Sequence, residues 1–140
     1  MADILLVEDN ARDIELTLAS LRAGGIMSAV QVVRNGEEAL DYLHRREGFA
    51  LLSTDTPALL LLDIKLPKVT GLEVLKAMKS DPALRSIPVI LLTSSREEQD
   101  LAAAFEWRAE GYLIKPAPVK QLVALITSAT GGVISGSPET

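Results

Sequence analysis

Five residues scattered along this chain carry the groups needed to place a phosphoryl group on a carboxylate: Glu8, Asp9, Asp63, Thr93 and Lys115. A carboxylate such as Asp63 can attack phosphorus and form an acyl phosphate. Carboxylates crowded together do not all ionise without a cation, because like charges raise one another's pKa. Hard oxygen donors of this kind suit Mg2+ (or Mn2+), which is content with one or two carboxylates, waters and a phosphate oxygen. An ion held by Glu8 and Asp9 would offset charge on the transferring group, while the Thr93 hydroxyl and the Lys115 ammonium bind its remaining oxygens. All of this requires one fold to bring the five residues together.

Each of the five stands at the end of a short apolar run. Ile4–Val7 leads to Glu8 and Asp9, Leu59–Leu62 to Asp63, Ile87–Leu92 to Thr93, and Tyr112–Ile114 to Lys115. The four leucines before Asp63 have no polar break, the pattern of a central strand buried on both faces of a parallel sheet. Val30–Val33 is a further strand, and its internal Gln31 places it at an edge.

Helical segments alternate with these strands. Ile14, Leu18 and Leu21 share one face of a helix that stops at Gly24-Gly25. Asn35–Glu38 reads as a capping box opening a helix with Ala39, Leu40 and Leu43 inward, and Thr70 with Glu73 opens another carrying Leu72, Val74, Leu75 and Met78. Gly71 is expected at a turn that tolerates positive φ. Ser95 and Glu98 cap a fourth helix with Leu101, Ala104 and Phe105 buried, and Pro118 falls in the first turn of a fifth, with Val119, Leu122, Val123 and Ile126. Strand followed by helix five times predicts an α/β fold, a doubly wound five-stranded parallel sheet with helices on both faces. Ligands of such sheets bind outside the carboxyl ends of the strands, so the five residues share one rim.

The composition narrows the function classes. A chain of 140 residues can bury a core as one domain, and with no cysteine it holds no disulfide, thiolate zinc site or cysteine nucleophile. Its apolar residues fall in short runs, so no membrane span is expected. The net charge of −5 argues against direct nucleic-acid binding. Met1-Ala2-Asp3 leads straight into a strand-like run, which predicts no signal peptide and a cytoplasmic location. The domain is expected over residues 1–130. Residues 131–140, rich in Gly, Ser and Pro, are expected to form a flexible C-terminal tail or the start of a linker to an output domain.

Plainer readings exist for each residue. Asp63 could end its strand as a turn residue, Glu8 and Asp9 could cap the first helix as Asn10 can, and Lys115 could be solvated. The convergence of all five on one rim outweighs them. His44, the only histidine, falls on a helix away from the rim and reads as a surface residue. Phe105 reads as core, and Trp107 as either core or a partner-binding face.

With these residues in this order the chain resembles the receiver domain of two-component response regulators, over its length to about Thr127. The resemblance rests on the acidic pair after strand one, the Asp after strand three, the Thr after strand four and Lys115-Pro116 after strand five. It implies the strand order 2-1-3-4-5, a magnesium site at Glu8, Asp9, Asp63 and the Lys65 backbone carbonyl, with Glu8 acting through a water, and Asp63 as phosphoacceptor. It further implies Thr93 as the switch hydroxyl, Lys115 as the phosphoryl contact, Tyr112 as a rotating aromatic, and Lys65 and Ser95 as positions that set phosphoryl lifetime. Lys115-Pro116 is expected to be cis.

The function so implied is a switch rather than an enzyme. A histidine kinase passes the phosphoryl group of its phospho-His to Asp63, and the surface of the fourth helix, fifth strand and fifth helix is remodelled for a partner or for dimerisation. Leu5–Asn10, Asn35–Leu43, Asp63–Lys68 and Leu92–Ser95 resemble a subgroup of small single-domain regulators paired with phytochrome-type and hybrid histidine kinases, whose members often form homodimers through that surface. One departure is Arg108-Ala109, where the family has Gly-Ala. Among alternatives, a haloacid-dehalogenase-type phosphatase needs a second Asp where Lys65 stands, and a flavodoxin-like carrier would meet Glu8-Asp9-Asn10 where its FMN phosphate belongs. A pseudo-receiver that only docks partners would not need the intact acceptor, metal pair, Thr and Lys.

Overall fold

The computed structural model describes residues 3–44, 56–66, 69–94 and 106–136. The helix expected from Ser95, and the connection containing Phe49, Leu51 and Leu52, lie outside these residues. In chain order the elements are β1 (Ile4–Val7), α1 (Ala11–Ala23), β2 (Val30–Val33), α2 (Gly36–Leu43), β3 (Leu59–Asp63), α3 (Gly71–Lys79), β4 (Val89–Thr93), β5 (Gly111–Ile114) and a C-terminal helix (Val119–Ala129).

All five strands are parallel and ordered β2-β1-β3-β4-β5, so the strand carrying Gln31 is indeed at an edge and the leucine strand is central. Period-two alternation divides the leucines between two cores. Leu60 and Leu62 face α2 and α3, packing with Leu43, Val74, Leu75 and Met78. Leu59 and Leu61 face α1 and the C-terminal helix, packing with Ile14, Leu21, Leu122 and Ile126. All four are fully buried, and a leucine taken out of water contributes roughly 1.5–3 kcal/mol. Asp63, next in line, is therefore carried at the end of the central, fully buried strand of the sheet.

The helix ends show which polar residues remain available for chemistry. Asn10 caps α1, its Oδ1 accepting the Asp13 N–H at 3.0 Å, so Glu8 and Asp9 are not needed for that task. Thr70 and Glu73 form the expected capping box on α3. At α2 the Asn35 side chain caps the Glu38 N–H, but the returning Glu38 carboxylate reaches the Arg34 N–H instead of that of Asn35, one residue short of a closed box. Pro118 is the N-cap residue of the C-terminal helix rather than part of its first turn.

Gly71 has a different reason for being glycine than the one expected. A Cβ there would lie 2.0 Å from the carbonyl oxygen of Asp63, so α3 starts pressed against the backbone of the candidate acceptor. Positive φ occurs instead at Arg108, at 60°, where the family pattern has glycine. A side chain in this region costs about 1–2 kcal/mol, partly offset because glycine loses more freedom on folding. Arg108→Gly is thus expected to stabilise the domain by about 0.5–1 kcal/mol, read as a higher urea midpoint at unchanged slope.

Beyond Thr130 the chain stays on the domain. The Thr130 hydroxyl donates to the Ile126 carbonyl at 2.8 Å and accepts the Ile134 N–H at 3.1 Å, with the Ile134 carbonyl 3.1 Å away. Ile134 is buried in the α1-side core, and a Cβ on Gly136 would lie 2.1 Å from the Gly24 carbonyl oxygen. The free tail expected from residue 131 therefore does not begin there, because one apolar side chain and one bridging hydroxyl hold the chain down as far as Gly136. Residues 137–140 lie outside the described ones.

Candidate functional site

Parallel register builds the site. Val7 pairs with Leu62, Asp63 with Leu92, and Thr93 with Ile114. One step further along, Glu8 stands beside Asp63, and Lys115 follows Ile114 at the same rim. The Lys115 backbone N–H donates to the Thr93 carbonyl at 2.8 Å, and the Lys115-Pro116 bond is cis. The sheet thus delivers Glu8, Asp9, Asp63, Thr93 and Lys115 to one place, as the sequence reading required.

Carboxylate oxygens of Glu8, Asp9 and Asp63 lie within 4.8 Å of one another. Glu8 and Asp63 are buried, at 2% and 6% exposure, whereas Asp9 is open to solvent. Burial, reinforced by the Glu8 charge, pushes the Asp63 carboxyl up to about 7; Lys115 and the Lys65 backbone N–H pull the other way without prevailing. Two buried acids and one exposed acid around a common point, with an inner carboxyl reluctant to ionise, form a donor set that a small divalent cation fits. When bound, such an ion neutralises phosphoryl charge as a Lewis acid.

The Lys115 ammonium is tightly held. Lys115 Nζ donates to Glu8 Oε1 at 2.8 Å and to Asp13 Oδ2 at 2.9 Å, and stands 3.6 Å from Asp63 Oδ2. Burial works against its charge, but the bonds to Glu8 and Asp13 outweigh it and hold its pKa above the ordinary lysine value. Asp13 was missed in the sequence. The available signal was its place in the first turn of α1, which starts at this same rim.

The remaining expected residues fall into place to different degrees. Thr93 is fully buried at the end of β4. Tyr112 is half-buried on β5 against the α2–α3 side of the core. Lys65 is exposed, two residues past Asp63. Ser95 lies outside the described residues. His44 ends α2 at the surface, 3.8 Å from Asp81. Trp107 is half-buried against the core, with the Lys76 ammonium 5.7 Å from its ring centre. It is therefore packed rather than displayed.

Comparison with known proteins gives one consistent answer. Residues 4–127 match the family described as the response regulator receiver domain. The structure resembles the bacteriophytochrome response regulator RtBRR, 50% identical, with a TM-score of 0.82 over 94% of this chain and 79% of that one. It also resembles a phosphorylated cyanobacterial phytochrome response regulator, RcpA, 38% identical, TM-score 0.75, over 91% and 88% of the two chains. The response regulator Rcp1 of Synechocystis is 36% identical over 88% of this chain and 82% of its own. A Mn2+-bound structure carrying the name Rcp1 has a TM-score of 0.75 at 35% identity, over 91% of this chain and 88% of that one.

Proposed function

The chain belongs to the response regulator receiver domain family, and from that premise we propose that Asp63 is the residue that takes the phosphoryl group. Receiver domains are the phospho-accepting partners of histidine kinases in two-component signalling, and this chain is one of them. One observation above all supports the assignment of Asp63: it is a buried carboxylate shared by the acidic trio and the Lys115 ammonium. Glu8 also belongs to the trio and meets the ammonium, but it accepts from Lys115 at 2.8 Å, whereas Asp63 stands 3.6 Å away with its carboxylate less committed.

The chain's own residues divide the work. Asp63 attacks phosphorus through its carboxylate oxygen, and the leaving imidazole of the kinase histidine carries away the bonding pair. Lys115 and Thr93 bind phosphoryl oxygens, the ammonium by charge and the hydroxyl by donation. Glu8, Asp9, Asp63 and the Lys65 carbonyl are the groups that would hold Mg2+, the ion we favour among divalent cations because few carboxylates suffice for it. Thr93 moving toward the phosphoryl group, with Tyr112 following, is the switch step. We read the protein as a switch that assists its own phosphorylation and dephosphorylation rather than as an enzyme.

The finer assignments rest on the relatives. Their names support a phytochrome-type kinase as the partner; the output we propose is a remodelled surface of the fourth helix, β5 and the C-terminal helix that binds a partner or a second copy of the chain. No helix among the described residues is long and apolar enough to cross a membrane, in keeping with a cytoplasmic site of action.

Two experiments test this. With Mg2+ and acetyl phosphate, wild type should gain one acid-stable, hydroxylamine-labile phosphoryl group by intact mass, and Asp63→Asn none. Modification of Asp63→Asn, or metal-independent modification of wild type, would remove Asp63 from its role. Molecular mass measured with beryllofluoride checks dimerisation, an unchanged monomer counting against it. Lys65, exposed beside the acceptor, is expected to influence access of hydrolytic water. The acyl phosphate of Lys65→Ala should therefore decay at a different rate from wild type, equal rates excluding the idea.

A further inference from the structure

We infer that Asp13 is a positioning residue for phosphoryl transfer, holding the Lys115 ammonium at the rim but off the nucleophile. The inference rests on the reading of Asp63 as acceptor and adds a residue that the reading does not contain. An ammonium has three N–H donors. Here two are committed, to Glu8 at 2.8 Å and Asp13 at 2.9 Å, while the contact with Asp63 Oδ2 is 3.6 Å, beyond a good hydrogen bond. Glu8 and Asp13 therefore suspend the charge close enough to attract a phosphoryl oxygen without masking the oxygen that must attack.

The two suspending carboxylates are not equivalent. Glu8 belongs to the acidic trio that a divalent cation would engage, and Asp13 does not. An ion drawing on Glu8 weakens that hold on Lys115, leaving Asp13 as its fixed partner. Asp13 suits this task because it is anchored away from the trio: its backbone N–H is capped by Asn10 at the start of α1, and its side chain is 32% exposed. It also stands with Lys115 in the wall of a cleft of about 440 Å3 between α1 and the C-terminal helix, floored by Leu16, Leu92 and Leu122. Without Asp13 the freed donor turns to the nearest remaining carboxylate, Asp63, and competes with both metal and phosphorus for it.

The test is a double-mutant cycle on phosphorylation by acetyl phosphate at saturating Mg2+. Asp13→Asn is expected to slow the maximal rate about tenfold, the low end for losing a partner that orients an active group. Asp13→Glu should recover part of that rate. In a Lys115→Ala background the Asp13→Asn factor should vanish, since the residue acts only through the ammonium. A second readout uses metal-free protein: labelling of Lys115 by acetic anhydride, located by mass spectrometry, should be several-fold faster in Asp13→Asn. An unslowed Asp13→Asn, or the same slowing with and without Lys115, would overturn the inference. Asp63→Asn run alongside separates the two readings. If it abolishes labelling with phosphate while Asp13→Asn is unaffected, only the role of Asp13 falls.

Discussion

Asp63→Asn is expected to make the metal-free protein more stable at pH 8 while removing its capacity to accept phosphate. The Asp63 carboxyl is pushed up to about 7 from an ordinary 3.8, by burial first and by the Glu8 charge second. The folded state therefore binds this proton more tightly than the unfolded chain. The corresponding stability is intact below about pH 4, is lost progressively as pH rises toward about 7, and is absent above that. Asparagine keeps the shape and carries no charge, so it escapes the loss. At about 1.4 kcal/mol per pH unit, over the roughly three units separating the two values, the gain at pH 8 reaches about 4 kcal/mol. Urea melts in chelator at pH 4 and pH 8 check it: the two proteins should nearly coincide at the lower pH and separate at the higher. A constant gap, or a less stable Asn variant at pH 8, would show that Asp63 is not held in an unfavourable ionised state.

That a residue should be retained where it weakens the fold fits a site built for chemistry. The same placement also explains why this position was legible in the sequence. The four leucines before Asp63 could only be a buried central strand, and a carboxylate ending such a strand must sit at the rim whatever the details of the loops. Glu8, Thr93 and Lys115 were legible for the same reason, since strand length and parallel register decide where a strand-end residue goes.

Features that depend on the approach of two distant segments were not legible. Asp13 meets Lys115 across 102 residues of sequence, and no local pattern marks the pair. Gly71 was read as a backbone-flexibility residue, but it is small because Asp63's carbonyl leaves no room for a Cβ. Local φ preference and close packing both select glycine, and a single sequence does not distinguish them. Arg108 shows the reverse case. The left-handed φ is imposed by the chain entering β5, and a residue that does not favour it occupies the position. Ile134 was hidden by its company, because one isoleucine among Gly, Ser and Pro reads as tail until its burial is seen.

Divalent cation binding should expel the proton that Asp63 retains, and this gives the second large effect. Glu8, Asp9 and Asp63 offer oxygens within 4.8 Å of one another, and a cation takes them only as carboxylates. With Asp63 pushed up to about 7, metal and proton compete below that pH. Apparent Mg2+ affinity should therefore rise by up to about tenfold per pH unit toward pH 7 and level off above it. Calorimetric titrations in buffers of different ionisation enthalpy read this directly. Close to one proton should be released per ion at pH 6, falling toward none at pH 8. By linkage, Mg2+ at 100 times its dissociation constant adds about 2.7 kcal/mol to stability. That more than halves the penalty attributed to the ionised Asp63 where the penalty is largest. Asp63→Asn should show neither the proton release nor most of the stabilisation. Its metal-free stability is already high, so the cation and the substitution relieve one and the same repulsion. If instead the affinity is flat between pH 6 and pH 8, the carboxyl is already ionised without metal, and the pH-dependent gain expected for Asp63→Asn must fail with it. The two measurements thus stand or fall on a single physical quantity, the proton held by a buried acid beside Glu8.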